Sequence, residues 1–175
     1  MIEILIAAVL TIAAALLLFV VVMGIFFAID IFLDLPYVGT KKGKIATITK
    51  LAQIKNKETI IDLGSGDGRL LLAAAAKGAY AVGYELNPLS VLVSRLHAHL
   101  AGHSENVMVY RQNMWQADLK VADIIFVYSL KSKIKKFEDF IWQNAKKGTR
   151  IIVNTNPFPH KKPVKVENGI FLYKI

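Results

Sequence analysis

The 175-residue sequence contains no cysteine, and its first 35 residues contain no lysine or arginine. The missing cysteines exclude disulfide bonds and thiolate metal sites, and their absence agrees with a cytoplasmic environment. A cleaved signal peptide needs a basic n-region and a transit peptide is rich in arginine, whereas the first arginine here is Arg69. We therefore expect the N-terminal segment to be retained.

The N-terminal segment is instead a long apolar run. Ile4–Ile29 is 26 residues without a charged side chain. A helix of that length measures about 39 Å, against a hydrocarbon core of about 30 Å. The alternative is a buried core helix, but a helix that is apolar on every face is unusual in so small a protein. The sequence predicts a transmembrane anchor over residues 1–35.

Basic residues follow this anchor and predict its orientation. All 22 Lys and Arg residues lie after it, and Lys41, Lys42, Lys44 and Lys50 come first. By the positive-inside rule, the sequence predicts a single-pass membrane protein with its C-terminal domain on the cytoplasmic side. Lysines at this place also predict attraction to lipid headgroups.

From residue 58 onward, strand patterns alternate with helical patterns, and Asn168-Gly169 predicts a two-residue hairpin near the end. Alternating units imply a parallel sheet with helices on both faces, and the hairpin adds one antiparallel strand. The sequence predicts a doubly wound, Rossmann-like α/β domain over residues 58–175, preceded by a linker and amphipathic helix over 36–57. The strands are expected at Glu58–Leu63, Ala79–Glu85, Asn106–Tyr110, Val121–Tyr128, Thr149–Asn154, Val164–Val166 and Ile170–Tyr173. The helices are expected at Lys41–Lys57, Gly68–Lys77, Pro88–Ala101 and Lys133–Ala145.

Three glycines stand at alternate positions directly after the first predicted strand. They are Gly64, Gly66 and Gly68. Glycine tolerates positive φ and lets backbone N–H groups approach a ligand closely. A dinucleotide fingerprint needs glycine or alanine where this chain has Arg69. The spacing therefore predicts S-adenosylmethionine (SAM) rather than a nicotinamide cofactor, and the sheet pattern matches the class I methyltransferase fold, mostly parallel with one antiparallel strand.

Other candidate cofactor residues lie where the predicted strands end, because ligands of doubly wound sheets bind at that edge. Glu85 can accept hydrogen bonds from ribose hydroxyls, which SAM and NAD share. Asn113 and Met114 follow the third strand, where methyltransferases usually hold the adenine, and the alternative is a polar loop over an apolar core. No catalytic residue or metal ligand is assigned. The predicted cofactor residues are Tyr37, Thr40, Asp62, Gly64, Ser65, Gly66, Asp67, Gly68, Glu85, Leu86, Asn113 and Met114.

Residues 36–175 contain several segments that match the motifs of one family: Pro36–Thr40, Asp62–Arg69, Ala81–Asn87, Lys147–Ile152 and Pro157–Pro159. In these segments the chain resembles the small protein-lysine methyltransferases that modify the mitochondrial ATP synthase c-subunit and adenine nucleotide translocase, together with small archaeal broad-specificity relatives. The resemblance implies transfer of the SAM methyl group to a lysine Nε. Candidate residues for the rim of the site are Tyr37, Thr40, Tyr128, Asn154 and Asn156, and the alternative for each is ordinary packing or loop capping. The chain departs from the family pattern at Gly39, Asn113 and His160–Lys162.

The expected partners are a membrane or membrane-proximal protein substrate and membrane lipid around the N-terminal helix. An alternative substrate is a lipid or quinone-like small molecule, which the anchor suits equally well. A further alternative is a non-catalytic SAM-fold interaction module, against which the glycine loop and Glu85 argue. Nucleic acid is disfavoured because Tyr128–Lys131 does not match the Asn/Asp-Pro-Pro-aromatic motif that holds a flipped base, and because no aromatic platform accompanies the basic runs.

Overall fold

The computed structural model describes residues 1–32, 40, 42–128 and 130–175. The chain divides into two compact units, Met1–Val38 and Gly39–Ile175. The predicted cofactor residue Tyr37 lies outside the described residues, together with the rest of the Pro36–Thr40 motif except Thr40.

The first unit contains one long helix, α1, at Ile2–Phe32. Its sequence has no proline to interrupt the helix, and apolar side chains occupy every face. The segment Ile2–Ile25 has a mean hydropathy of 3.1, and its side chains are not buried by the rest of the structure. By length and composition α1 could cross a bilayer. The predicted apolar helix is confirmed, and its place in a membrane stays a prediction.

The second unit is a seven-stranded sheet with helices on both faces. Its strands are β1 (Thr59–Leu63), β2 (Tyr80–Glu85), β3 (Val107–Arg111), β4 (Ile124–Tyr128), β5 (Arg150–Asn154), β6 (Lys165–Glu167) and β7 (Ile170–Lys174). Its helices are α2 (Lys42–Ala52), α3 (Arg69–Ala75), α4 (Pro88–Leu100) and α5 (Ile134–Asn144).

The strand order is β3-β2-β1-β4-β5-β7-β6, with β1 to β5 parallel and β7 antiparallel to both of its neighbours. The reversal follows from the hairpin, where Asn168 and Gly169 have φ angles of +51° and +67° and fit a type I′ turn. The order of the strands reverses at β1, so a ligand is expected beyond its carboxyl end. The predicted mostly parallel sheet with one antiparallel strand is confirmed.

Two apolar cores lie on opposite faces of the sheet. On one face α2, α3 and α4 cover the sheet, and Ile48, Leu71 and Phe126 belong to one buried apolar cluster. On the other face Phe137 and Ile141 of α5 pack on alternate residues of the same strands. Neighbouring strand residues point to opposite faces, so strands covered on both sides are apolar at nearly every position.

The observed boundaries of three predicted elements differ from the predicted ones. The helix expected at Lys41–Lys57 ends at Ala52, because the next residue, Gln53, adopts a left-handed φ of +48°. The helix expected at Gly68–Lys77 is the shorter α3. The strand expected from Val121 begins at Ile124, because Leu119–Val121 forms a 3₁₀ turn that the Asp118 side chain caps.

Candidate active site

The glycine loop leaves β1 with a left-handed backbone at three alternate positions. Gly64, Gly66 and Gly68 have φ angles of +89°, +54° and +79°, which residues with a Cβ adopt only at a cost. The N–H groups of Gly64 and Ser65 donate to the Tyr84 carbonyl at 2.9 and 3.2 Å. The loop is therefore tied to β2, while Gly64 itself is exposed and its backbone is open to a ligand.

Glu85 ends β2 with its carboxylate between two backbone N–H groups. Oε2 accepts from the Gly66 N–H at 2.9 Å, and Oε1 accepts from the Asn87 N–H at 2.9 Å. A carboxylate offers about four lone-pair sites, so each oxygen can accept a further donor such as a ribose hydroxyl. The structure brings Glu85 to the glycine loop as predicted, and its contact with a cofactor stays a prediction.

Arg69 links the glycine loop to the segment before α2. Its Nε contacts the two carboxylate oxygens of Asp67 at 2.9 and 3.1 Å, and its Nη2 lies 2.6 Å from Oδ2. Its Nη1 donates to the carbonyl of the buried Thr40 at 2.8 Å. The predicted residues Asp67 and Thr40 are therefore held together by an arginine that was not predicted as a site residue. The sequence signal that could have identified Arg69 is its position directly after Gly68, at the end of the glycine motif.

Asp62 is a buried carboxyl group at the end of β1, with 5% of the residue exposed. Burial raises the pKa of Asp62 well above its ordinary value of 3.8, and the negative charges of Glu85 and Asp67 raise it further. The desolvated site therefore favours the neutral acid. Asp62 lies where the cofactor is predicted, and a carboxyl group with a raised pKa is common in functional sites.

Ser65 lies against the backbone of β2, at a position where that strand has no side chain. A Cβ added to Gly83 would lie 2.7 Å from both Ser65 Cβ and Leu71 Cδ1. Ser65 is buried, and its Oγ has no hydrogen-bond partner within the described part of the chain. Gly83 was not predicted as a site residue, and the structure shows that it gives the loop room to pack on β2.

Met114, Asn113 and Leu86 lie farther along the predicted cofactor site. A Cβ built on Gly64 would lie 3.9 Å from Met114 Sδ, so the methionine stands beside the loop. Asn113 is exposed, and its Oδ1 already accepts from the Trp115 N–H at 3.1 Å, which leaves Nδ2 to meet a ligand. Leu86 is 37% exposed. Their contacts with a cofactor stay predictions.

A second polar group lies where β4 and β5 end. Tyr128 and Asn154 are register partners, and Asn154 is buried. Asn154 Oδ1 accepts from Lys44 Nζ and from Thr155 Oγ1, each at 3.0 Å. Asn154 Nδ2 has no partner among the residues that the structure describes. Asn156 follows, and its N–H donates to the Asn154 carbonyl at 3.2 Å. Three of the predicted rim residues, Tyr128, Asn154 and Asn156, thus lie together, and Lys44 and Thr155 join them without having been predicted.

These contacts fit the cofactor that the sequence predicts. Glu85 has acceptor capacity for a ribose, the exposed Gly64 backbone allows close approach, and the apolar Met114 lies beside it. SAM therefore suits the residues at this edge of the sheet.

Comparison with known proteins places this geometry in context. Residues 62–165 match the family model described as the ANTKMT methyltransferase domain. The chain is 36% identical over 135 residues to the adenine nucleotide translocase lysine N-methyltransferase of Mus musculus, covering 77% of this chain and 58% of that protein. It is 31% identical over 129 residues to the ATP synthase c-subunit lysine N-methyltransferase of Homo sapiens, covering 74% and 55%. The chain thus spans little more than half the length of these curated relatives.

Two further similarities extend over nearly the whole of the matched protein. The protein-lysine N-methyltransferase of Saccharolobus islandicus is 25% identical over 153 residues, which is 80% of this chain and 93% of that protein. Among solved structures, the RNA methyltransferase from Salinibacter ruber in complex with S-adenosyl-L-homocysteine aligns with a TM-score of 0.75 and 27% identity. That alignment covers 79% of this chain and 94% of the other.

Proposed function

Because the chain belongs to the family of ANTKMT methyltransferase domains, we propose that it transfers the methyl group of SAM to the Nε of lysine side chains in proteins. The observation that carries the proposal is the Glu85 carboxylate held against the glycine loop, in a chain whose similar proteins include lysine N-methyltransferases. When bound, SAM supplies a methyl group already activated by its sulfonium.

The residues of the chain have positioning roles in this proposal. The glycine loop, Glu85 and Met114 hold the cofactor, and Arg69 keeps the loop fixed to the segment before α2. Tyr128 and Asn154 line the rim where the acceptor lysine enters. Correct positioning of two reactants supplies a large part of the rate of a displacement reaction, so no covalent nucleophile is needed.

We also propose a membrane location, with residues 1–35 as anchor, 36–57 as linker and amphipathic helix, and 58–175 as catalytic domain on the cytoplasmic side. The support is α1, whose Ile2–Ile25 segment is apolar and unburied, and the lysines that follow it. An anchor would raise the effective concentration of membrane substrates.

The test is incubation of the purified full chain with methyl-labelled SAM and a membrane extract. We expect label in protein, recovered as methyllysine after hydrolysis. Glu85→Gln should lower the signal, whereas Glu105→Gln, which changes an exposed acid in a turn outside the site, should not.

The same experiment separates the alternatives. Label that partitions into organic solvent would indicate a lipid or quinone-like substrate. The apolar helix α1 supports this alternative, because such substrates are found in membranes. Label that is released by nuclease would indicate RNA, the substrate class in the name of the Salinibacter ruber protein. Calorimetry that detects binding of neither SAM nor S-adenosylhomocysteine would favour a non-catalytic module.

A further inference from the structure

Lys44 joins α2 to the end of β5 across 110 residues of sequence. Its Nζ donates to Asn154 Oδ1 at 3.0 Å and to Thr155 Oγ1 at 3.3 Å. Both acceptors are neutral oxygens, and Lys44 forms no ion pair with a carboxylate of the described residues. Lys50, on the same helix, instead pairs with Glu167 at 2.7 Å. The two lysines thus differ in the chemistry of their partners.

This difference matters for methyl transfer. An amine accepts a methyl group through its lone pair, so the ammonium must first lose a proton. A carboxylate partner stabilises the ammonium and opposes that loss, whereas neutral oxygens can hold the nitrogen in place with a smaller preference for the charged form. We call the two neutral oxygens, Asn154 Oδ1 and Thr155 Oγ1, the lysine seat. The lysine seat is suited to a reacting lysine, whereas the carboxylate of Glu167 that contacts Lys50 is not.

The seat lies beside the predicted cofactor site. Leu63 at the end of β1 pairs with Val127, and Val127 pairs with Val153, directly before Asn154. Two strand spacings of about 4.8 Å place Asn154 about 10 Å from the end of β1. Alternate strand residues share a face, so Asn154 lies on the face of Ile152, which α2 covers. The amine of Lys44 is thus held at the same edge of the sheet as the glycine loop.

Thr155 holds its place at a conformational cost. Its φ is +83°, which is an outlier for a β-branched residue and a strained backbone conformation. Its N–H donates to the Gly169 carbonyl at 2.9 Å, and this bond ties the strained residue to the hairpin. The strain is concentrated where the hydroxyl meets Lys44 Nζ, and such outliers are typical of functional sites.

We infer that Asn154 Oδ1 and Thr155 Oγ1 form the acceptor-lysine seat of the methyltransferase and that Lys44 is its own intramolecular substrate, so that the chain methylates itself at Lys44. The inference rests on the proposed function. In the step, Lys44 Nζ gives a proton to water and its lone pair forms the N–C bond to the methyl carbon. The C–S bond breaks, its electron pair stays on sulfur, and S-adenosylhomocysteine leaves.

The experiment uses the full chain in detergent micelles with SAM and no added substrate, followed by tandem mass spectrometry of its own peptides. We expect a mass increase of one or more methyl groups at Lys44, with an initial rate constant that does not change with protein concentration. Lys44→Arg should lose this signal, whereas the matched control Lys50→Arg should keep it.

Variants of the seat separate positioning from folding. Thr155→Gly relieves the backbone strain and removes the hydroxyl, so Lys44 methylation should fall at least fivefold without loss of stability, while Thr155→Ser should retain it. Asn154→Asp keeps the shape of the side chain but places a carboxylate at Lys44. Its methylation should be slow at pH 7.5 and should approach the wild-type rate as the pH rises, whereas Asn154→Ala should be slow at every pH.

A second readout needs no cofactor. In the SAM-free protein, Lys44 should react with acetic anhydride more slowly than the exposed Lys55, and Thr155→Gly should remove much of that protection. Equal acetylation of Lys44 and Lys55 in the wild-type chain would contradict the seat.

The outcomes distinguish this inference from the proposed function. An unmodified Lys44 in a preparation that methylates proteins of a membrane extract overturns the inference and leaves the function intact. Equal methylation of Lys44 and Lys50, or a rate that rises with protein concentration, also overturns it. Absence of both self-methylation and methylation of the extract contradicts the proposed function itself.

Discussion

The Glu85 carboxylate accepts a hydrogen bond from the Gly66 N–H at 2.9 Å, although the two residues are 19 positions apart. This hydrogen bond joins the end of β2 to the middle of the glycine loop, and it involves protein groups alone. A binding loop that is already held in one shape loses less conformational entropy when a ligand binds. Glu85 therefore has two roles to test, one as loop support and one as ribose acceptor.

Glu85→Gln should weaken SAM binding more than it weakens the fold. The amide would present an N–H₂ group to one of the two backbone donors that the carboxylate now satisfies. Loss of a hydrogen bond to a charged group is worth about 1.5–3 kcal/mol, so the dissociation constant should rise about ten- to a hundredfold. Calorimetry with S-adenosylhomocysteine measures the change, and unchanged affinity would contradict both roles.

Gly83→Ala should destabilise the domain. The new Cβ would lie 2.7 Å from Leu71 Cδ1 and from Ser65 Cβ, and overpacking of this kind costs about 1–3 kcal/mol. Gly43→Ala is the matched control, because a Cβ at Gly43 meets nothing within 4 Å and the residue lies in α2. The control should raise stability slightly, by up to about 1 kcal/mol. Thermal unfolding of both variants should show opposite signs, and a neutral Gly83→Ala would refute the packing argument.

Asp62→Asn should stabilise the ligand-free protein at neutral pH. Burial, then the charges of Glu85 and Asp67, raise the pKa of Asp62 above its ordinary value of 3.8. Between that value and the raised one, the folded state binds the extra proton, so the wild-type chain loses stability as the pH rises through this window. Asparagine does not titrate. The difference in Tm between variant and wild type should therefore be small at pH 3.5 and should grow with pH to a plateau.

Asp123 should show the opposite pH dependence. Burial favours a higher pKa for Asp123, but hydrogen bonds from Lys146 and the Thr59 N–H, with the charges of Lys146 and Arg150, outweigh it and lower the pKa. Its contribution to stability is then present above the ordinary value of 3.8 and is lost as the pH falls through the lowered one. The Tm difference between wild type and Asp123→Asn should favour the wild type at pH 6 and shrink below pH 4. A constant difference would contradict this account.

The N-terminal helix should hold the chain in a membrane. After extraction with alkaline carbonate, we expect the full chain in the membrane pellet. Leu16→Arg combined with Leu17→Arg places two charges in the apolar run, each costing about 2.5–3.5 kcal/mol at the centre of a bilayer, and should move protein to the supernatant. The double alanine variant should stay in the pellet. Wild-type chain in the supernatant would argue against an anchor.

The sequence by itself determined the class of fold and the central feature of the site. Alternating strand and helix patterns are local, because a strand repeats every two residues and a helix every 3.6. The glycines at 64, 66 and 68 could be assigned to a tight loop because only glycine adopts positive φ freely. The ends of elements were less predictable. Gln53 follows the end of α2 and has a φ of +48°. Glutamine has no preference for this conformation, so the sequence did not predict the end of the helix.

Only the tertiary structure decided which distant groups meet. Arg69 contacts Thr40 across 29 residues and Lys44 contacts Asn154 across 110, and no local pattern encodes either pair. The raised pKa of Asp62 is also a tertiary property, because it depends on burial and on the charges that the fold places nearby. Periodicity and glycine content act within a few residues, whereas hydrogen bonds and desolvation depend on the positions of all neighbours in space. The sequence therefore predicted a cofactor loop, and the fold decided which arginine, carboxylates and lysine surround it.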